Sequence, residues 1–154
     1  MLRIHTLQNT TWIDFERPTR DEVLTLVEQY GVPLTCAEEL LYPSVRSKVD
    51  RYPEMLYLVL HFPDDVGQSG SVSEKEIDFV VGKNFLVTAR YGSNETIDQW
   101  AQTFDVRSVL SESNQRINGG HLVFWVLKAL YQNLFEEMES VTKKIRKIEH
   151  GIFA

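Results

Sequence analysis

The sequence predicts an α/β fold: a mixed β-sheet sandwiched by helices (α/β/α), ending in a long C-terminal helix. Three observations predict it. The elements run strand-strand-helix-helix-four strands-three helices, which is neither a regular βαβ repeat nor all-helical. Met55 to Phe62 is β-prone and almost continuously apolar, as a central strand covered on both faces must be. Finally, Leu127, Leu130, Leu134, Met138, Val141, Ile145, Ile148 and Ile152 recur in steps of three and four, which keeps one apolar stripe on one side of a helix.

Each element has its own signal. Met1 to Leu7 alternates apolar and polar residues and reads as an edge-type strand, and Thr11 to Phe15 as a second. Thr19-Arg20-Asp21-Glu22 has capping-box spacing after Pro18, so a helix opens at Thr19 and ends at Gly31. Pro33 introduces a shorter helix, Leu34 to about Tyr42, closed by Pro43. Arg46 to Arg51 is a polar strand leading to the central one. Pro63 to Ser73 has the Gly, Ser and Asp content of a surface loop and is the stretch expected to be disordered. Glu76 to Val81 and Phe85 to Tyr91 flank Gly82-Lys83-Asn84, a hairpin whose turn residues tolerate positive φ. Two helices, Glu95 to about Phe104 and Val106 to about Gln115, are predicted to meet near Asp105. After Gly119-Gly120 the last helix runs to Phe153, about 50 Å at 1.5 Å per residue, more than a domain of this size needs. Leu122 to Leu134 is apolar nearly all round, as inside a domain; Lys143, Lys144, Arg146, Lys147 and Glu149 then flank a narrow seam, as on a helix leaving one.

Composition bounds the function. A chain of 154 residues with ordinary apolar, charged, Gly and Pro contents is one globular domain. Its formal charge of −6 argues against non-specific binding to nucleic acid or anionic lipid, which needs a basic footprint. The single cysteine, Cys36, forms no internal disulfide and fits a reducing compartment as a small buried hydrophobe. The N-terminus lacks a signal-peptide pattern, and the longest apolar run, Leu122 to Leu127, is far short of the ~18 residues of a membrane span.

Few residues ask for chemistry. His5, His61, His121 and His150 are scattered, without metal-ligand spacing, and are expected on strand or helix surfaces. No phosphate-binding glycine loop or nucleophile elbow is present, and no catalysis is expected. The adjacent Glu38-Glu39 pair, late in a short helix, faces the unfavourable end of its dipole. Neighbouring helical residues point about 100° apart, so the two cannot chelate one ion within a monomer. Two readings follow: a solvated face paired with Arg46 or Lys48, or a subunit boundary at which the carboxylates share Mg²⁺.

Several segments in order resemble one family: Trp12-Ile13-Asp14 with Pro18-Thr19; Glu38-Glu39-Leu40-Leu41; Ser47-Lys48-Val49-Asp50-Arg51-Tyr52; Leu56 to Leu60; the hairpin Ile77 to Thr88; and the helix opening His121 to Phe135. Together they resemble the amino-terminal cytoplasmic domain of CorA-type magnesium and divalent-cation transporters, over nearly the whole chain. The resemblance implies an α/β/α sensor domain over residues 1–118, with 119–154 beginning a stalk helix packed on the domain at its start. It implies a homopentameric Mg²⁺ channel, with zinc or other ions in related members. The pore sequence Gly-Met-Asn lies beyond the stalk in that family and is not found in this chain. The resemblance also implies that Glu38 and Glu39 contribute to regulatory Mg²⁺ sites between subunits. Glu39 stands where Asp is expected, and Lys128, Gln132 and Asn133 where the long helix is often rich in Asp.

The function expected on this basis is a cytoplasmic metal-sensing and gating domain, without enzymatic activity, reaching the membrane only through segments outside the chain. The fragment itself is expected to be monomeric or weakly associated. The alternatives are a stand-alone cytosolic module docking a partner through the C-terminal helix, and a small enzyme using Glu38 or Asp78 as a base.

Overall fold

A computed structural model describes residues 1–63, 74–110 and 116–153. Six strands form one sheet: β1 (Leu2–Leu7), β2 (Thr10–Glu16), β3 (Lys48–Tyr52), β4 (Met55–Pro63), β5 (Glu74–Val81) and β6 (Phe85–Arg90). Their spatial order is β1-β2-β6-β5-β4-β3; β2 and β6 pair in parallel and every other pairing is antiparallel. Short connections join the antiparallel pairs β1–β2, β3–β4 and β5–β6, and the long excursion between β2 and β6 allows the parallel pair.

Helices α1 (Arg20–Tyr30) and α2 (Leu34–Glu39) cover one face; α3 (Glu95–Leu110) and α4 (Gly119–Phe153) cover the other. Strand alternation sends Tyr57, Val59, Val80, Val87 and Ala89 toward α1 and α2, and Ile77, Phe79 and Leu86 toward α3 and α4. The sandwich expected from the sequence is therefore the fold found, with β4 inside the sheet.

The start of α1 is as expected. Thr19 accepts the backbone N–H of Glu22, and the Glu22 carboxylate accepts that of Thr19. Gly31 closes the helix at φ 66°, a left-handed conformation that costs glycine little.

Four expectations change. The second helix ends at Glu39, three residues early; Leu41 and Tyr42 continue it only through three-residue spacings to Glu38 and Glu39. The third strand begins at Lys48 rather than Arg46. The turn residues 82–84 do not adopt positive φ, which appears at Gln8 and Arg17 instead; the hairpin closes with the Gly82 N–H donating to the Phe85 carbonyl. The expected break at Asp105 is absent, because its carboxylate meets His5 at 2.6 Å while Ile97, Ala101 and Phe104 keep one helical face buried. The rest of the expected loop, 64–73, and the end of the expected helix, 111–115, lie outside the described residues.

Candidate functional site

Helix α2 buries Cys36 and Ala37 against the sheet, which turns Glu38 to solvent and leaves Glu39 half-buried at the helix end. Burial pushes the Cys36 thiol up to about 12, so it is a packed hydrophobe rather than a reactive group. Lys48 and Asp50 lie on the same face of β3, opposite Val59 and Tyr57. That register brings the Lys48 ammonium to the Glu39 carboxylate and to Asp50 Oδ2 at 2.9 Å. The ammonium also sits 4.9 Å from the centre of the Tyr57 ring. Hydrogen bonds to Glu39, then to Asp50, hold it above the usual lysine range. All three side chains are about a third or more exposed, so the cluster contributes at most about 1 kcal/mol to stability.

Of the two readings of the acidic pair, the solvated face with Lys48 as partner describes a single copy of the chain. The carboxylates of Glu39 and Asp50 already share a tethered cation, and Glu38 points elsewhere. Among the described residues no group of three His, Cys, Asp or Glu side chains could hold a metal ion. Within one copy these residues do not fit a Mg²⁺ shell, which takes several oxygens in near-octahedral order.

A second polar cluster lies beneath α2. Asp78 on β5 is wholly buried; its Oδ2 accepts from the Tyr57 hydroxyl at 2.8 Å and lies 3.1 Å from that of Tyr91. Glu76, two residues earlier on the same face, accepts the Ser44 N–H at 2.8 Å on each oxygen and meets His61 Nε2 at 3.1 Å. Burial, then the neighbouring Glu76, raises the Asp78 carboxyl to about 8. The sequence offered Asp78 as a possible base; the fold seals it between two tyrosines. It missed Tyr91, His61 and Glu76 as partners, and Lys48-Asp50 as a pair. The available signal was the period-two spacing of polar residues within β3 and β5.

The histidines depart from the surface expectation. His5 is buried, stacked on Trp12 with ring centres 4.8 Å apart. His61 joins the cluster above. His121 contacts Asn118, whose side-chain oxygen accepts the His121 N–H at the start of α4. His150 alone is fully on the surface.

The C-terminal helix is where the fold and the sequence agree most closely. Gly119, Leu122, Val126 and Leu130 bury its first turns against the sheet. From Phe135 to Phe153 every residue is exposed, including Met138, Val141, Ile145, Ile148 and Ile152. Phe124 and Tyr131 add outward aromatic surface nearer the domain. Half of a 35-residue helix therefore projects from the sandwich with an uncovered apolar stripe. No helix among the described residues is long and apolar enough to cross a membrane.

This α/β/α sandwich with its long terminal helix has the fold of CorA-type soluble domains. Residues 8–154 match the family of CorA-like Mg²⁺ transporter proteins, and the chain belongs to that family. Among solved structures it resembles the full-length CmaX protein (TM-score 0.73, 11% identity, covering 94% of this chain and 43% of that one). It resembles the complete CorA magnesium transporter from Methanocaldococcus jannaschii (TM-score 0.72, 14% identity, 95% and 44%). It also resembles the ZntB cytoplasmic domain from Vibrio parahaemolyticus (TM-score 0.64, 14% identity, 92% and 55%). At these identities the likeness is one of fold. The chain spans less than half the length of the first two. No curated protein matches it.

Proposed function

We propose that this chain is the cytoplasmic regulatory domain of a CorA-like divalent-cation transporter whose pore lies in segments outside these 154 residues. Residues 1–118 would be the sensor, and 119–154 the start of a stalk. The observation that carries this reading is the projecting half of α4. An apolar stripe sustained for five turns beyond the last buried contact favours parallel helices, as in a bundle of copies around an axis, over a monomer's core. The domain would then bias that bundle mechanically, since a rigid helix anchored in the sheet transmits any rotation of the sandwich to its far end.

Family membership supports Mg²⁺ as the ion. We retain Glu38 and Glu39 as candidate ligands between subunits, where a second copy would have to complete the shell and displace Lys48 from Glu39. Melting curves with millimolar Mg²⁺ test this: a shift that vanishes in Glu38→Ala plus Glu39→Ala is expected. No shift in either protein would remove the site and leave the transporter reading untouched.

The transporter reading itself is tested on the gene. A charged helix continuing past codon 154, followed by two apolar runs of about 20 residues with Gly-Met-Asn between them, is expected. A stop codon within a few residues would favour the docking module instead.

A further inference from the structure

We infer that Tyr91 is a proton-directed toggle: it ties the end of α2 to the sheet while Asp78 carries a proton and releases it when Asp78 ionises. The Tyr91 hydroxyl lies 3.1 Å from two acceptors, the carbonyl of Leu40 at the C-terminus of α2 and Oδ2 of Asp78. It has one proton to give. Which acceptor receives it depends on the charge of Asp78.

Geometry places the proton of the buried acidic pair on Asp78. Both oxygens of Glu76 already have partners, the Ser44 N–H and His61 Nε2. Nε2 of His61 also faces the Ser44 carbonyl at 3.0 Å, so two acceptors hold its proton on that nitrogen. Asp78 Oδ1, in contrast, has no hydrogen-bond partner among the described residues and is out of water. A proton on Oδ1 turns that orphan acceptor into a donor aimed at Glu76, the neighbouring carboxylate that raises Asp78. Tyr57 donates to Oδ2 in either state. With Asp78 neutral, Tyr91 gives its proton to Leu40. With Asp78 ionised, the full charge outcompetes the carbonyl, and the buried end of α2 loses that hydrogen bond.

The groups around Asp78 come from every neighbouring element. Tyr57 on β4, Glu76 on β5, Tyr91 after β6 and Cys36 on α2 bear on Asp78 directly, His61 on β4 meets Glu76, and Glu39 on α2 with Lys48 and Asp50 on β3 bear on the same Cys36. The adjacent Arg90 points to the other face, toward Asp14. The hydrogen bonds from Tyr57 and Tyr91 oppose retention of the proton on Asp78, and burial together with Glu76 outweighs them. The consequence reaches the acidic pair, because Glu38 and Glu39 immediately precede Leu40. Only that consequence rests on the transporter reading; the toggle is a property of the isolated chain.

Amide exchange on the 154-residue chain, free of divalent metal and corrected for intrinsic base catalysis, tests the toggle. Amides at the end of α2 should lose about tenfold protection between about pH 6.5 and about pH 9.5. Asp78→Asn, which keeps a donor toward Glu76, should hold protection at both pH values. Tyr91→Phe should lack it at both. A side-chain ¹³C titration of Asp78 should show a midpoint well above the usual carboxylate range, and Glu76→Gln should lower it. Equal protection at both pH values in the wild type, or a midpoint for Asp78 in the ordinary range, would overturn the inference even if Asp78→Asn did not fold.

Discussion

Arg90 and Asp14 face each other across the parallel β2–β6 pair with Nη2 and Oδ2 3.3 Å apart, their side chains only 2% and 1% exposed. Neither is isolated. Asp14 also accepts from Arg3 Nη2 at 2.6 Å and from the Thr88 hydroxyl at 2.7 Å, and Arg90 reaches Asp98 on α3 at 2.9 Å. One carboxylate thus ties together β1, β2 and β6, and its partner arginine ties them to α3. Removing Asp14 leaves Arg90 with only the more exposed Asp98 and Glu16 and takes an acceptor from Arg3 and Thr88, so Asp14→Ala is expected to destabilise the domain by about 3 kcal/mol in urea unfolding. Asp14→Ala combined with Arg90→Met should recover part of that loss. A double variant as unstable as the sum of the singles would show that the two do not act as a pair.

Gly119 packs where α4 meets the β5–β6 hairpin, and its N–H donates to the Lys83 carbonyl at 2.9 Å. A Cβ there would overlap the carbonyl oxygens of Gly82 and Phe85, which are backbone atoms that cannot swing aside. Gly119→Ala is therefore expected to cost about 1–3 kcal/mol or more. At Gly151, a Cβ meets nothing within 4 Å, and alanine should raise helicity without loss of stability. A neutral Gly119→Ala would mean that α4 docks less closely.

Deleting residues 138–154 removes no buried side chain among those described. The melting temperature of the sandwich should change by less than about 2 °C, while far-UV helicity falls. If the deleted seam is what brings copies together, weak self-association measured by sedimentation should fall with it. Substantial destabilisation would reveal that the projecting half folds back.

The pH dependence of stability has a definite sign at Asp78. Its carboxyl is raised to about 8 in the folded domain, against about 3.9 in an unfolded chain. Between those values the folded state binds the extra proton, so this group's contribution to stability falls as pH rises from about 4 through about 8. The difference in urea midpoint between wild type and Asp78→Asn should therefore move in favour of the variant as pH increases. A difference independent of pH would place the Asp78 titration outside this range.

Apolar periodicity and local capping determined much of this protein in advance. The Thr19–Glu22 box, the strand at Met55 and the stripe from Leu127 to Ile152 are local patterns, readable because each depends on residues a few positions apart. The solvated reading of Glu39 named Lys48, with Arg46, for the same reason, since Lys48 is only nine positions further along the chain. Tertiary structure decided the rest. Asp105 interrupts nothing because His5, a hundred residues away, meets it on the helix. The chemistry of Asp78 depends on Tyr57 from one side of the sheet order and Tyr91 from the other, a juxtaposition set by strand pairing. Asp14 and Arg90 share a carboxylate environment only because β2 lies parallel to β6. Pairing of charges and sharing of protons are short-range in space but not in sequence, and only the folded sheet converts one into the other.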